Sequence, residues 1–423
     1  MVTTLIQQVR VLDPVAQTDR VLDVWIESGQ LRAIAETIAV PDDAVCIDGS
    51  GKIFAPALVD LYSHSGEPGY ESRETLDSLR QSASSGGFSR VCVLPTTHPA
   101  VDNPGLVKQV MAGNLLGEPQ LFVWGAATRG ARGEAIAELN DLAQAGVVGF
   151  SDGQPLTDGL LVNRLVEYAQ QVGKPLALCP HAPGLMGPGS AREGAVALQL
   201  GLTGDPAASE TAALAALLEA IAPFPIPIHL MRISTARGVE LVQQAKAKGL
   251  PITASTTWMH LCFNTEDLHT YDPNLRLTPP LGNPADQQAL IEAVETGILD
   301  GIAVEHSPYT YEEKTVPFSQ APPGAIGLEL VLPVLWQRFV VPEIWSPLTL
   351  WQALSDRPAR CLQQTPPRLV VGEPLEALLF DPVQSWQVCP AHLKSQSANT
   401  PWYGQTVQGR VTETWAFQPF HRP

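Results

Sequence analysis

Basic residues are in short supply: 26 Lys and Arg stand against 43 Asp and Glu, a formal net charge of −17 over 423 residues. Such a balance repels phosphate backbones and anionic lipid, so neither nucleic acid nor a membrane surface is an expected partner. Long apolar runs are missing as well. No segment reaches the roughly 18 uncharged apolar residues that read as a membrane-spanning helix. The start, MVTTLIQQVRVLDP, lacks a basic stretch followed by an apolar core and does not read as a signal peptide. The six cysteines (Cys46, Cys92, Cys179, Cys262, Cys361 and Cys389) form no CxxC pair. They read as reduced, mostly buried thiols of a cytoplasmic protein. No solenoid repeat or low-complexity tract interrupts the chain.

What is present is a large apolar share, 45% of residues, in a chain long enough for one large domain with an appendage. Eight short apolar runs bounded by turn residues follow one another at 57–64, 90–97, 121–127, 147–152, 175–181, 226–233, 251–257 and 301–306. Amphipathic stretches separate them, such as EAIAELNDLAQAG (134–146) and ARGVELVQQAKAKG (236–249), both ending at glycine as helices often do. Eight strands alternating with helices predict an α/β fold, a (β/α)₈ TIM-like barrel over 55–365. The flanks, 1–54 and 366–423, alternate in strand fashion. Neither looks able to bury a core alone, so the two are expected to pair into one small β-sandwich domain.

Several predicted strands end in polar groups: His64, Thr97, Asp152, His181, Arg232 and the pair Glu305-His306. The C-terminal rim of such a barrel is where active sites are built, and so many polar endings together favour a site there. Other histidines read more blandly. His98 sits on a loop, His260 follows Trp258, and His229 fits packing within the sixth strand.

Longer stretches carry a resemblance. PALVDLYSHSGEPG resembles the PGxxDxHxHxREPG motif of the dihydroorotases, members of the amidohydrolase superfamily. GGFSRVCVLPTTHPAVDN is similar to their GGFTxxxxMPNTxPxxDN, RLTPPLG to NPPLR, and EHSPYTYEEKTVPFSQAPPGAIGLE to DHAPHxxxEK…APxGxxGxE. SANTPWYGQTVQGRV matches SxNTPFxGxxxxGxV. The resemblance implies a cyclic amidohydrolase using water activated by one or two zinc ions, which lower the water's pKa and polarise the amide.

Transferred position by position, that chemistry breaks. The first His of the HxH pair falls on Tyr62, a poor zinc ligand, while the second is kept as His64. The strand-four carboxylate corresponds to Asp152, in an FSDGQP one residue shorter than the family's FSDDGxP, and the strand-five His to His181. The strand-six His is replaced by Arg232, and the strand-eight Asp, both ligand and proton shuttle, by the longer Glu305. The substrate-carboxylate clamp is replaced at Gly66, Thr96 and Tyr309, and the Arg of NPPLR at Gly282.

Two readings follow. In the first the chain is a catalytically inactive homologue of pyrimidine biosynthesis, oligomeric, a structural partner of aspartate carbamoyltransferase, and without a cofactor. Arg232 then replaces the metal by pairing with Asp152 and Glu305. In the second it is an active dihydroorotase or another cyclic amidohydrolase. Zinc then binds a reduced site of His64, Asp152 and His181, completed by His229, His260 or His306.

Overall fold

A computed structural model describes residues 3–41 and 43–416. The expected terminal strands therefore lose only residues 1, 2, 42 and 417–423, which lie outside the described residues. The N-terminal flank forms β1 (Thr3–Asp13), β2 (Thr18–Glu27), β3 (Gln30–Ala35), β4 (Val45–Asp48) and β5 (Ile53–Pro56). The next ten strands are β6 (Leu58–Ser63), β7 (Phe88–Val93), β8 (Gln120–Gly125), β9 (Gly149–Phe150), β10 (Leu176–Leu178), β11 (Ala191–Arg192), β12 (Gly204–Asp205), β13 (Ile228–Leu230), β14 (Ile252–Thr257) and β15 (Gly301–Ala303). The chain ends with β16 (Glu376–Gln387) and β17 (Thr406–Ala416).

All eight predicted barrel strands exist. They run parallel in the order β15-β14-β13-β10-β9-β8-β7-β6. Strands β6 and β7 are buried at every position. That fits their near-continuous apolar sequence, because helices cover one face and the barrel interior the other. The strands stop earlier than the apolar runs suggest: β10 ends at Leu178 and β15 at Ala303. The polar endings Asp152, His181, Arg232 and Glu305 therefore sit on the loops just beyond, where side chains are free to turn into the barrel mouth.

The barrel closes between its first and eighth strands through side chains as well as backbone. The buried Asp60 carboxylate accepts from the Val304 amide (2.9 Å) and from the Ser63 hydroxyl (2.5 Å), and Ser63 Oγ in turn accepts from the His306 amide (3.0 Å). The Glu305 amide donates to the Tyr62 carbonyl (3.1 Å), and the His64 amide to the His306 carbonyl (2.8 Å). The first and last strand ends are thus fixed against each other at the level of Tyr62 and Glu305.

Helices such as Leu76–Gly86, Gly159–Val172, Ala236–Ala247 and Pro284–Thr296 return the chain between strands. The third βα helix is shorter than its sequence pattern, covering only Leu139–Gln144. Residues 127–137 are instead held as a tight loop by Arg129 N–H to Ala135 O (2.8 Å) and Ala137 N–H to Ala127 O (3.0 Å).

Both termini build a separate seven-stranded sheet, ordered β17-β16-β5-β1-β2-β3 with β4 added on β1. Its core draws Ile6, Val9, Val24 and Phe54 from one end of the chain and Leu375, Ala377 and Leu379 from the other. A buried ion pair ties this sheet to the barrel. Arg90 on β7 grips Glu376 on β16 through Nε (2.7 Å) and Nη2 (2.6 Å), both side chains about one-tenth exposed. Removing one partner of such a pair strands the other charge in a weakly polar interior. Glu376→Ala should therefore lower stability by about 3–5 kcal/mol, read as a fall in the urea midpoint; an unchanged midpoint would show the pair to be dispensable.

Candidate functional site

At the C-terminal end of the barrel strands a cavity of about 370 Å³ opens, lined among others by His64, Gly66, Thr96, Arg232, Glu305 and Tyr309. The sequence-predicted positions thus divide. These six share the cavity, while Tyr62, Asp152 and His181 lie outside its lining, and Gly282 sits apart with its backbone packed against Asp286.

Arg232 is the centre of the site. Its side chain is only 6% exposed, and Nε forms a very short ion-paired hydrogen bond with Oε1 of Glu305. Nη1 donates to the Gly153 carbonyl (2.8 Å) and to Cys179 Sγ (3.7 Å). Burial works against the guanidinium's charge, but the Glu305 carboxylate together with Cys179 and Tyr62 outweighs it, and the pKa is raised. Glu305 is pushed above the ordinary carboxylate range by burial, with Arg232 pulling the other way. Both residues hold left-handed backbone, φ 57° at Arg232 and φ 51° at Glu305. Non-glycine residues occupy that region at a cost, and such outliers persist where the surroundings over-determine them.

Tyr62 supplies part of that over-determination. Its fully buried phenol oxygen accepts the Arg232 amide (3.1 Å) and bonds Ser255 Oγ (2.9 Å). Ser255 bonds His229 Nε2 (2.9 Å), and His229 Nδ1 reaches Thr253 Oγ1 (2.9 Å). The Tyr62 ring also lies 5.5 Å below the guanidinium carbon, within cation–π range. Burial pushes this phenol's pKa up, so it stays neutral. Tyr62 therefore acts as a bracket for the Arg232 backbone.

The expected pairing of Arg232 with Asp152 does not form. Asp152 turns away and accepts from the Thr128 amide (2.9 Å) and hydroxyl (2.5 Å). With both oxygens satisfied, nothing draws it toward the guanidinium. His64 Nδ1 bonds Thr96 Oγ1 (2.9 Å), and burial followed by Arg232's field lowers its pKa to about 3. His181 lies against Met186 Sδ (3.0 Å) and 3.8 Å from Asp205. The three histidines proposed to complete a metal site are each engaged elsewhere: His229 in the Ser255 chain, His260 with Thr257 and Pro279, His306 with Glu74 (3.2 Å) and the Gly327 amide. His98 is exposed.

Zinc requires imidazole, thiolate or carboxylate donors converging at about 2.0–2.3 Å. Among the described residues no three His, Cys, Asp or Glu come together in a way that holds a metal ion. The side chains present do not fit zinc here, and a permanently charged guanidinium stands among the strand ends.

Sequence reasoning missed Arg73. This residue reaches the cavity, grips Glu313 through Nε (3.0 Å) and Nη2 (2.5 Å), and lies over the rings of Tyr70 (4.2 Å) and Tyr309 (5.0 Å). Gly66 cannot carry a side chain, since a Cβ would sit 2.3 Å from the Glu74 carbonyl. The only signal along the chain was an arginine seven residues beyond Gly66, within the same loop.

No family model matches the chain. A protein of Synechocystis sp. described as a probable dihydroorotase-like protein is 44% identical over 96% of this chain and 97% of its own length. A dihydroorotase of Pelotomaculum thermopropionicum is 34% identical over 96% and 95% respectively. The chain belongs to the dihydroorotase family. Among solved structures, the L-hydantoinase of Arthrobacter aurescens superposes with a TM-score of 0.84 over 99% of this chain and 96% of that one, at 19% identity. That likeness shows the barrel fold with its terminal sheet and nothing finer.

Within this dihydroorotase-family barrel the buried histidines set a pH dependence. Burial, then Lys246, lowers His229 from its ordinary 6.5 to about 3. Between those values the unfolded chain binds a proton that the folded chain refuses, so stability falls as pH falls. At pH 5 this one histidine removes roughly 2 kcal/mol. Asp60, raised by burial to about 7, acts in the opposite sense. His229→Gln should therefore lose roughly 2 kcal/mol less than the parent between pH 7 and pH 5, measured by urea unfolding at each pH. Equal losses would place His229 in its charged form.

Proposed function

We propose that this dihydroorotase homologue of pyrimidine biosynthesis is non-catalytic, with the Arg232–Glu305 pair standing where the family's resemblance calls for a metal that would activate water. The observation that carries the reading is this buried ion pair, held by strained backbone at both residues and braced by the Tyr62 phenol. A guanidinium stays protonated throughout the accessible pH range. It cannot ligate zinc, and it repels a cation at close quarters. Without a metal or another means of lowering the pKa of water, no hydroxide is generated to attack a cyclic amide.

The substrate side supports the same reading. The positions matching the carboxylate clamp carry Gly66, Thr96 and Tyr309. Thr96 is engaged with His64, and Gly66 has no room for a side chain. Arg73 is the one further arginine at the cavity, and it is matched by Glu313.

A scaffolding role beside aspartate carbamoyltransferase, within an oligomer, completes the proposal; it rests on the resemblance alone. No helix among the described residues is long and apolar enough to cross a membrane, which suits the proposed cytoplasmic setting. The single-zinc alternative finds no gathered ligand set among the described residues to favour it.

Purified chain supplied with zinc should show no interconversion of carbamoyl-aspartate and dihydroorotate above the uncatalysed background. It should co-elute with aspartate carbamoyltransferase on a sizing column. Turnover at an enzymatic rate would overturn the non-catalytic reading, and separate elution the scaffolding one.

A further inference from the structure

A second concavity, of about 520 Å³, shares no lining residue with the barrel mouth and lies where the outer strand of the terminal sheet meets the helix Leu76–Gly86. Strand β17 supplies Arg410–Thr414 to its wall, the helix supplies Gln81, Ser84 and Ser85, and Gln384 and Lys394 complete it. Among the described residues β17 pairs only with β16, so the groove runs beside the outer edge of the sheet. The Thr414 hydroxyl donates to the Ser84 carbonyl (2.7 Å) and fixes strand against helix.

The two ends of this groove differ in chemistry. At one end the Arg410 guanidinium lies over the Trp386 ring (4.8 Å), and its Nη2 reaches the His392 carbonyl (3.5 Å), which brings the turn carrying Lys394 alongside. Neither cation has a carboxylate partner among the described residues. Asp381, opposite Arg410 in the strand register, accepts from the Val383 and Gln384 amides (both 3.1 Å). Glu329, buried behind Lys394, accepts from the Lys394 and Ser395 amides and the Ser82 hydroxyl. Past the other end, the Ala416 carbonyl accepts from the Gly117 amide (3.3 Å). That contact sets Leu115 and Leu116, 57% and 62% exposed, beside the strand terminus. Thr412, Thr414 and the exposed Glu413 lie between the two ends.

We propose that this strip is a docking surface for an extended segment of a partner protein, acidic at one end and apolar at the other. Charge complementarity favours such a segment: in a chain of net charge −17, two unmatched cations mark where an acidic stretch can approach. The adjacent exposed leucines offer an apolar anchor at the far end. Glu413 repels acid in the middle, so the acidic residues belong at the Arg410 end alone. From Arg410 to Ala416 the strand rises about 20 Å, the span of roughly six extended residues. A compact anion such as phosphate would meet only the cationic end. The surface deepens the scaffolding reading, on which its docking role rests.

Two labelled peptides of roughly eight residues test it. Each carries two glutamates at one end, serines between and two leucines at the other, in opposite orders to cover both directions along the groove. By fluorescence anisotropy at low salt, one order should bind with a dissociation constant below about 1 mM. Affinity should fall at least about tenfold with Lys394→Glu and Arg410→Glu together, and by a similar factor with Leu115→Ser and Leu116→Ser together. Lys394→Glu alone changes an exposed side chain and should lose at least about threefold; it decides the matter if the double variant fails to fold. No binding of either order at millimolar concentration, binding unchanged by the charge reversals or by the leucine changes, or displacement of the peptide by inorganic phosphate at equal concentration, overturns the inference. Peptide titration reads the surface and co-elution reads the partner, so failure here is distinct from failure of the scaffolding reading.

Discussion

The ion pair between Arg232 and Glu305 organises the barrel mouth, and much of the surrounding structure serves to hold it. A guanidinium buried this deeply is tolerable only with a carboxylate against it, and its cost falls further with a second requirement, partners for its other N–H groups. The Gly153 carbonyl and Cys179 go toward the second requirement. The first depends on Glu305 reaching over from the end of β15, two strands along the barrel from β13, with a side chain one methylene longer than the aspartate that the resemblance calls for.

That reach is set by the barrel's closure. Asp60 and Ser63 bind the amides of Val304 and His306, and the Tyr62 carbonyl binds the amide of Glu305 itself. The same Tyr62 takes the Arg232 amide on its phenol oxygen. One residue thus positions both members of the pair, through its backbone on one side and its side chain on the other. Tyr62 and Arg232, which stand where the resemblance calls for metal-ligating histidines, are thus coupled through this contact. The phenol gives the arginine's unusual backbone a partner, and the arginine's amide gives a buried phenol one of its two hydrogen bonds.

The fold was legible in the sequence because its signals are redundant. Eight strands buried on both faces read as eight apolar runs, and their order along the chain leaves little topological choice. Strand ends were less legible, since β10 and β15 keep only three residues of regular pairing while the apolar run continues into the loop. At the site, motif alignment located Tyr62, Arg232 and Glu305, but it could not say which way Asp152 faces. That is decided by Thr128, 24 residues earlier and silent in any motif. Arg73 was invisible for a similar reason: its partner Glu313 lies 240 residues away and is fixed by a capping box at Thr310.

Anomalous diffraction at the zinc absorption edge, from crystals soaked in zinc, tests the central claim most directly. The expected result is no ordered peak among the strand ends, with the guanidinium of Arg232 still seated on Glu305. A peak bonded to His64 and Glu305, with Arg232 swung out of the mouth, would contradict it.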